Sequence, residues 1–288
     1  MSDSTLNKPT AVLCIHGSLS SSRQWAMLSQ QLPASYNAIT PDLTGYGQSE
    51  FPANPKQYDL DFELDQLIAN GLPEKFHLIG HSFGGAVAIG LALRYPQRVL
   101  SMSLFEPMAI WLLDEQHPGR VDSRTMMDLM AKRIAEGNTL NAAEMFIQYW
   151  NHCPTSKALA PSLARTLDVP QVKYPLDNRA ACTHHATLND LRQLTMPIQL
   201  IGTPESPLLA SAIIELLADT FSNCSKAQVT GGHLAPVTRP GLVNPLLIDF
   251  IEQNSVIKKD QQLDCQSPQA DRNDRGRVQD QPDLLAFA

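Results

Sequence analysis

Short apolar runs alternate with helix-period stretches over the first hundred residues. Ala11-Val12-Leu13-Cys14-Ile15 reads as a buried strand, and a helix over Arg23–Leu32 follows a Ser-rich loop. Asn37-Ala38-Ile39-Thr40 predicts a second short strand. Asp61–Leu72 carries Phe62, Leu64, Leu67 and Ile68 at helical spacing. Phe76-His77-Leu78-Ile79 predicts a third strand, Gly85–Leu93 a helix rich in small residues, and Val99–Phe105 a fourth strand. Strands alternating with helices imply right-handed βαβ units and an α/β fold. Its mostly parallel sheet should be covered by helices on both faces.

That rhythm stops after Phe105. From Met108 to Thr195 the pattern is helical, near 121–136, 139–150 and 186–194, with no convincing strand. A block of this size between two sheet strands should lie over the sheet's C-terminal edge as an inserted helical cap. Pro197–Gly202 resumes the sheet, with a helix near Leu208–Ala218 and a last strand at Lys226–Thr230. A final helix covers roughly 241–253. Pro245 is expected in its first turn or at its start, because further in it would break a hydrogen bond. Beyond Asn254 Gln, Asp, Lys and Arg dominate, which reads as a disordered tail. The expected organisation is a core of 1–107 and 196–254, a cap of 108–195 and a tail of 255–288.

Composition narrows the function. A net charge of −7 and the lack of a basic stripe argue against nucleic acid or an anionic membrane as partner. No apolar run approaches the length of a membrane span, and the polar first ten residues do not read as a signal peptide. Cys14, Cys153, Cys182, Cys224 and Cys265 are scattered, odd in number and without CxxC spacing. They read as reduced thiols of a cytoplasmic protein. His117 and His184-His185 have no spaced carboxylate or Cys partner in the sequence, so no metal is expected.

The chemistry centres on Gly80-His81-Ser82-Phe83-Gly84, between a buried strand and a small-residue helix. This is the context of a nucleophile elbow. The turn strains its central residue and lifts the Ser oxygen clear of the sheet. Ser82 is then the expected nucleophile, and it needs a base. His233, in Gly231-Gly232-His233 after the last strand, is the candidate at the same sheet edge.

Three landmarks in order, His16-Gly17, the Ser82 motif and Gly231-Gly232-His233, together with Asp42-Leu43-Thr44-Gly45-Tyr46-Gly47-Gln48-Ser49, resemble the α/β-hydrolase fold family. The resemblance covers roughly 11–107 and 196–253, and the Met108–Thr195 block looks like that family's variable cap. Only ten residues precede the first strand, so the antiparallel strands that usually open the fold are missing or vestigial. The resemblance implies a Ser-acid-His triad. Its commonest acid position is the loop after strand 197–202, where Glu205 holds the spacing but no Asp does. The family's other position is the end of the strand after the elbow, where Glu106 stands. Glu106 is favoured, because a carboxylate emerging from a buried strand needs a partner such as His233.

The oxyanion hole should use the backbone N–H groups of Phe83 and Ser18, each such donor contributing about 3 kcal/mol to the transition state. His16 and His81 read as structural, and Asp42 and Ser49 as braces of the Gly-rich loop. Trp111, Trp150 and Met108, with Met126, Met127, Met130 and Met145, could line an apolar acyl pocket in the cap. The expected activity is hydrolysis of a carboxylic ester, or a related acyl bond, of a small, partly apolar substrate, without cofactor. A carbon–carbon bond hydrolase and a cofactor-free peroxidase share the same residues. A non-catalytic binding protein on the same fold is a further alternative. Haloalkane dehalogenation is disfavoured, because it calls for a carboxylate where Ser82 stands.

Overall fold

The computed structural model describes residues 8–151 and 173–264. Six strands form one sheet: β1 (Thr10–Ile15), β2 (Tyr36–Ile39), β3 (Phe76–His81), β4 (Val99–Phe105), β5 (Ile198–Gly202) and β6 (Cys224–Gln228). Their order is β2-β1-β3-β4-β5-β6, and every pairing is parallel. β3 is buried throughout, as a parallel strand covered on both faces must be. Successive side chains alternate between two cores. Leu13, Ile15, Leu78, Leu104 and Leu200 pack on one side, and Val12, Cys14, Ile79, Phe105 and Ile201 on the other.

α1 (Ala26–Gln31) and α10 (Pro240–Asp264) supply Leu28, Val243, Leu247 and Ile251 to the second core. α2 (Leu60–Ala69), α3 (Phe83–Arg94) and α8 (Leu208–Thr220) cover the first. β6 lies two residues earlier than the pattern suggests. It is an edge strand, and its register comes from pairing Cys224 with Ile198 rather than from its own weak alternation.

Between β4 and β5 lie α4 (Pro118–Ala135), α5 (Thr139–Asn151), α6 (Tyr174–Thr183) and α7 (Leu188–Leu191). The sequence pattern missed α6. Its inward residues include Asp177, and Lys173 precedes it, both fully buried, so a periodicity read from apolar residues has little to find. α7 is one turn, closed by a Thr187–Asp190 capping box. Near the C-terminus, α9 (Ala235–Thr238) precedes α10, and α10 continues past Asn254 to Asp264, into the stretch expected as tail. Residues 265–288 lie outside the described residues. Pro245 sits inside α10 rather than in its first turn, one turn after Gly241. Both are exposed, so the carbonyl left without a partner faces water.

β1 is flanked by β2 on one side and β3 on the other, so the winding direction reverses there. Such a switch point opens a crevice at the strands' C-terminal ends. Here the loop after β1 runs against the turn after β3. A Cβ on Gly17 would stand 2.9 Å from His81 Nδ1 and 3.1 Å from the Ser82 Cβ.

His16 holds the β1 loop. Its Nε2 accepts from the Leu43 N–H at 3.0 Å, so the ring proton is on Nδ1, which donates to the Gly17 carbonyl at 2.8 Å. Burial, assisted by the Lys173 charge, pushes the His16 pKa down to about 4. This stabilisation is complete above the unfolded value near 6.5 and is lost as pH falls toward 4, about 3 kcal/mol in all.

Two tests follow from the packing. Gly84 lets α3 approach β1, because a Cβ there would fall on the carbonyl oxygens of Ile15 and His16. Gly84→Ala should cost about 3 kcal/mol or more in urea unfolding. Gly90→Ala, which meets only the movable Leu64 Cδ1 at 2.9 Å, should cost clearly less. His16→Asn should shrink the fall in Tm between about pH 7 and pH 4.5, relative to the unmutated chain. An equal fall would remove His16 as a source of acid lability.

Candidate active site

Ser82 stands between β3 and α3 with φ 55° and ψ −122°. This conformation costs on the order of 1–3 kcal/mol and persists only where its surroundings impose it. They do so through backbone hydrogen bonds. The Ser82 N–H donates to the Phe105 carbonyl at 3.0 Å, and its carbonyl accepts from Gly85 at 2.9 Å and Met108 at 3.0 Å. Among the described residues, the non-glycines with positive φ are Leu19, Ser82 and Glu106. They follow β1, β3 and β4, so backbone strain gathers at one end of the sheet.

Two loops bring the partners to the Ser82 hydroxyl. His233 Nε2 lies 2.8 Å from Ser82 Oγ, and His233 Nδ1 lies 2.7 Å from Glu106 Oε2. The carboxylate can only accept, so Nδ1–H donates to it and Nε2 is left to take the Ser82 proton. Glu106 and His233 are each 1% exposed, and Ser82 4%. A buried carboxylate needs donors, and Glu106 has three. Besides His233, the Thr203 N–H donates to Oε1 at 2.9 Å and the Ser206 hydroxyl to Oε2 at 2.7 Å. The loop after β5, where Glu205 was the alternative acid, thus supplies donors to Glu106 at the end of β4. Glu205 is not joined to His233, and its Oε2 is buried without a hydrogen-bond partner among the described residues.

The remaining braces are polar and local. His81 Nε2 donates to the His233 carbonyl at 2.9 Å. Burial and the neighbouring His233 push the His81 pKa well down, so its ring is neutral. Gln24 Oε1 accepts from the Gly17 N–H at 3.3 Å, which braces the β1 loop. Asp42 accepts from the backbone of Ser22 at 2.6 Å and Gln48 at 2.8 Å, while Ser49 contributes through its backbone N–H to Tyr46.

Cap residues complete the surroundings. Trp150 stacks on the His233 ring with centroids 4.3 Å apart. Its neighbour Asn151 accepts from the Leu234 N–H at 3.1 Å, which pins the His233 loop to the end of α5. Neither contact was legible in the sequence, where Trp150 counted only as an apolar pocket residue. Ser18, Phe83, Met108, Trp150, Tyr174 and Asp177 line a cleft that Ser82 shares. Trp111 instead donates to the Ala186 carbonyl at 2.8 Å and packs on His184. His117 caps α4 by accepting from Gly119.

The fold also gives His184 and His185 a carboxylate neighbour that the sequence did not suggest. Their nitrogens and an Asp61 oxygen lie within 4.8 Å of one another. Arg94 already pairs with Asp61 at 2.7 Å, and its charge opposes a cation there. Among the described residues no helix is long and apolar enough to cross a membrane.

The chain is 31% identical to the 2-hydroxymuconate semialdehyde hydrolase of Pseudomonas sp. (strain CF600), over 84% of this chain and 87% of that one. It is 29% identical to the pimeloyl-[acyl-carrier protein] methyl ester esterase of Aeromonas salmonicida (strain A449), over 74% and 83%. The match to a relative from Bacillus subtilis (strain 168), also 29% identical, spans only about half of each chain, 54%. The model of the alpha/beta hydrolase fold matches residues 10–240. With its parallel sheet and the relatives' names, this chain is an enzyme of the α/β-hydrolase family.

Proposed function

We propose that the protein hydrolyses a carboxylic ester, or a related acyl bond, of a small, partly apolar molecule through an acyl-enzyme on Ser82. The observation that carries the reading is the unbroken chain of hydrogen bonds from Ser82 through His233 to Glu106. His233 Nε2 takes the Ser82 proton as Oγ bonds to the substrate's carbonyl carbon. The carbonyl oxygen becomes an oxyanion, for which the backbone N–H groups of Phe83 and Ser18 are the proposed donors. The intermediate collapses, the bond to the leaving alcohol breaks, and His233 returns the proton to that alcohol. A water, deprotonated by His233, then attacks the acyl carbon and releases the acid and Ser82. Glu106 holds the tautomer with Nε2 free and stabilises the imidazolium. The face of Trp150 adds cation–π attraction to that cation.

The esterase relative supports the ester reading, and the semialdehyde hydrolase supports a second one. In the second, the same residues serve hydrolysis of a carbon–carbon bond, and the fold by itself does not choose between them. Parallel assays of p-nitrophenyl esters of increasing chain length and of 2-hydroxymuconate semialdehyde separate the two.

Two experiments test the site. A fluorophosphonate probe should form a Ser82 O–P bond with loss of fluoride, mapped by mass spectrometry. No labelling, or labelling that survives Ser82→Ala, would favour a binding protein instead. Glu106→Gln should lower kcat by at least about 100-fold and Glu205→Gln by less than about 10-fold, scaled from the ~10⁴-fold cost of a wrong tautomer. The reverse pattern would move the acid to the loop after β5.

A further inference from the structure

A second cluster of buried charges lies beside the Ser82 cleft, and the proposed reaction does not use it. Lys173 is fully buried and pairs with Glu63 of α2 at 3.2 Å and with Asp177 of α6 at 3.0 Å. Its ammonium lies over the rings of Tyr58 at 4.4 Å, Tyr46 at 4.8 Å and Phe83 at 5.4 Å. Glu63 accepts from the Thr44 N–H at 2.9 Å, the Thr44 hydroxyl at 3.1 Å and the Tyr58 hydroxyl at 2.6 Å. Asp177 Oδ2 accepts from the Tyr46 hydroxyl at 2.5 Å and the Ser18 hydroxyl at 2.6 Å. Burial pushes the Asp177 carboxyl up from its ordinary value, and Lys173 pulls against that.

Burying three ionisable groups does not favour stability over apolar packing of the same volume. Here their placement is specific. Besides Glu63, Tyr46 and Tyr58, this cap pair touches Ser18 and Phe83, whose backbone N–H groups are the proposed oxyanion donors. Asp177 holds the side chain of one, and Lys173 covers the ring of the other. The core leaves room for this. Gly45, at φ 78°, would otherwise carry a Cβ 3.0 Å from the Lys173 side chain.

We propose that Asp177 and Lys173 are positioning residues that set the oxyanion hole from the cap, with the Asp177–Ser18 hydrogen bond fixing the loop after β1. The proposal rests on the serine-hydrolase reading above. Without the Asp177 carboxylate the Ser18 hydroxyl loses its acceptor, and the loop no longer presents its N–H at one fixed point. A displaced donor weakens transition-state stabilisation more than ground-state binding.

The test compares Ser18→Ala, Asp177→Ala and the double variant. It measures the rate of fluorophosphonate labelling, kcat and KM on a p-nitrophenyl ester, and Tm. Each single variant should slow labelling and kcat by about 10-fold or more while KM stays within about twofold, less than the loss of a whole donor. The double variant should be no slower than the worse single one, because both remove the same bond. Asp177→Asn, which keeps an acceptor, should recover part of the rate. Multiplying effects, or unchanged rates with a lowered Tm, would overturn the proposal and leave the cluster a structural one. If Asp177→Ala does not fold, Ser18→Ala decides alone, and an unchanged labelling rate overturns the proposal. An unmutated chain that the probe does not label at all would instead sink the serine-hydrolase reading.

Discussion

The site depends on a backbone that would not hold its shape alone. At φ 55° and ψ −122° Ser82 occupies a region that L-residues avoid, and the sheet on either side keeps it there. β4 accepts its N–H, and Gly85 and Met108 donate to its carbonyl. The turn is tight enough that Gly80 and Gly84 leave no room for a Cβ. Strain at Ser82 is therefore sustained by the most buried part of the molecule. The same packing lifts the hydroxyl out of the sheet toward the switch point between β1 and β3.

The carboxylate of Glu106 illustrates how a buried charge selects its place. It leaves β4 at φ 42°, also at positive φ, and meets His233, Thr203 and Ser206 within hydrogen-bond distance. Three donors compensate the hydration the carboxylate loses on burial. Among the described residues Glu205 has no such set and is not joined to His233. The loop after β5 is thus enlisted as a source of donors to Glu106.

Much of the site's rigidity comes from the cap. Trp150 covers one face of the His233 ring, and Asn151 ties down the following backbone. Asp177 reaches the β1 loop from α6. The proposed nucleophile and base belong to the core, but the surroundings that exclude water and hold loops in place come from helices inserted between β4 and β5.

Several elements were legible from local chemistry. The pattern placed all six strands to within two residues at each end, and the central ones stand out because a parallel strand buried on both faces must be largely apolar. Ser82 and His233 were legible because their turns need glycine at fixed offsets, and glycine is visible in a sequence. Other features depend on neighbours distant in the chain. β6 took its register from β5, α10 ran past its expected end, and α6 hid behind inward-facing charged residues that periodicity reads as solvent-facing. The pairing of Glu106 with His233 spans loops that only the finished sheet brings together. So do the stacking of Trp150 and the bond from Asp177 to Ser18. Their energies come from burial and geometry, and neither exists until the chain has folded.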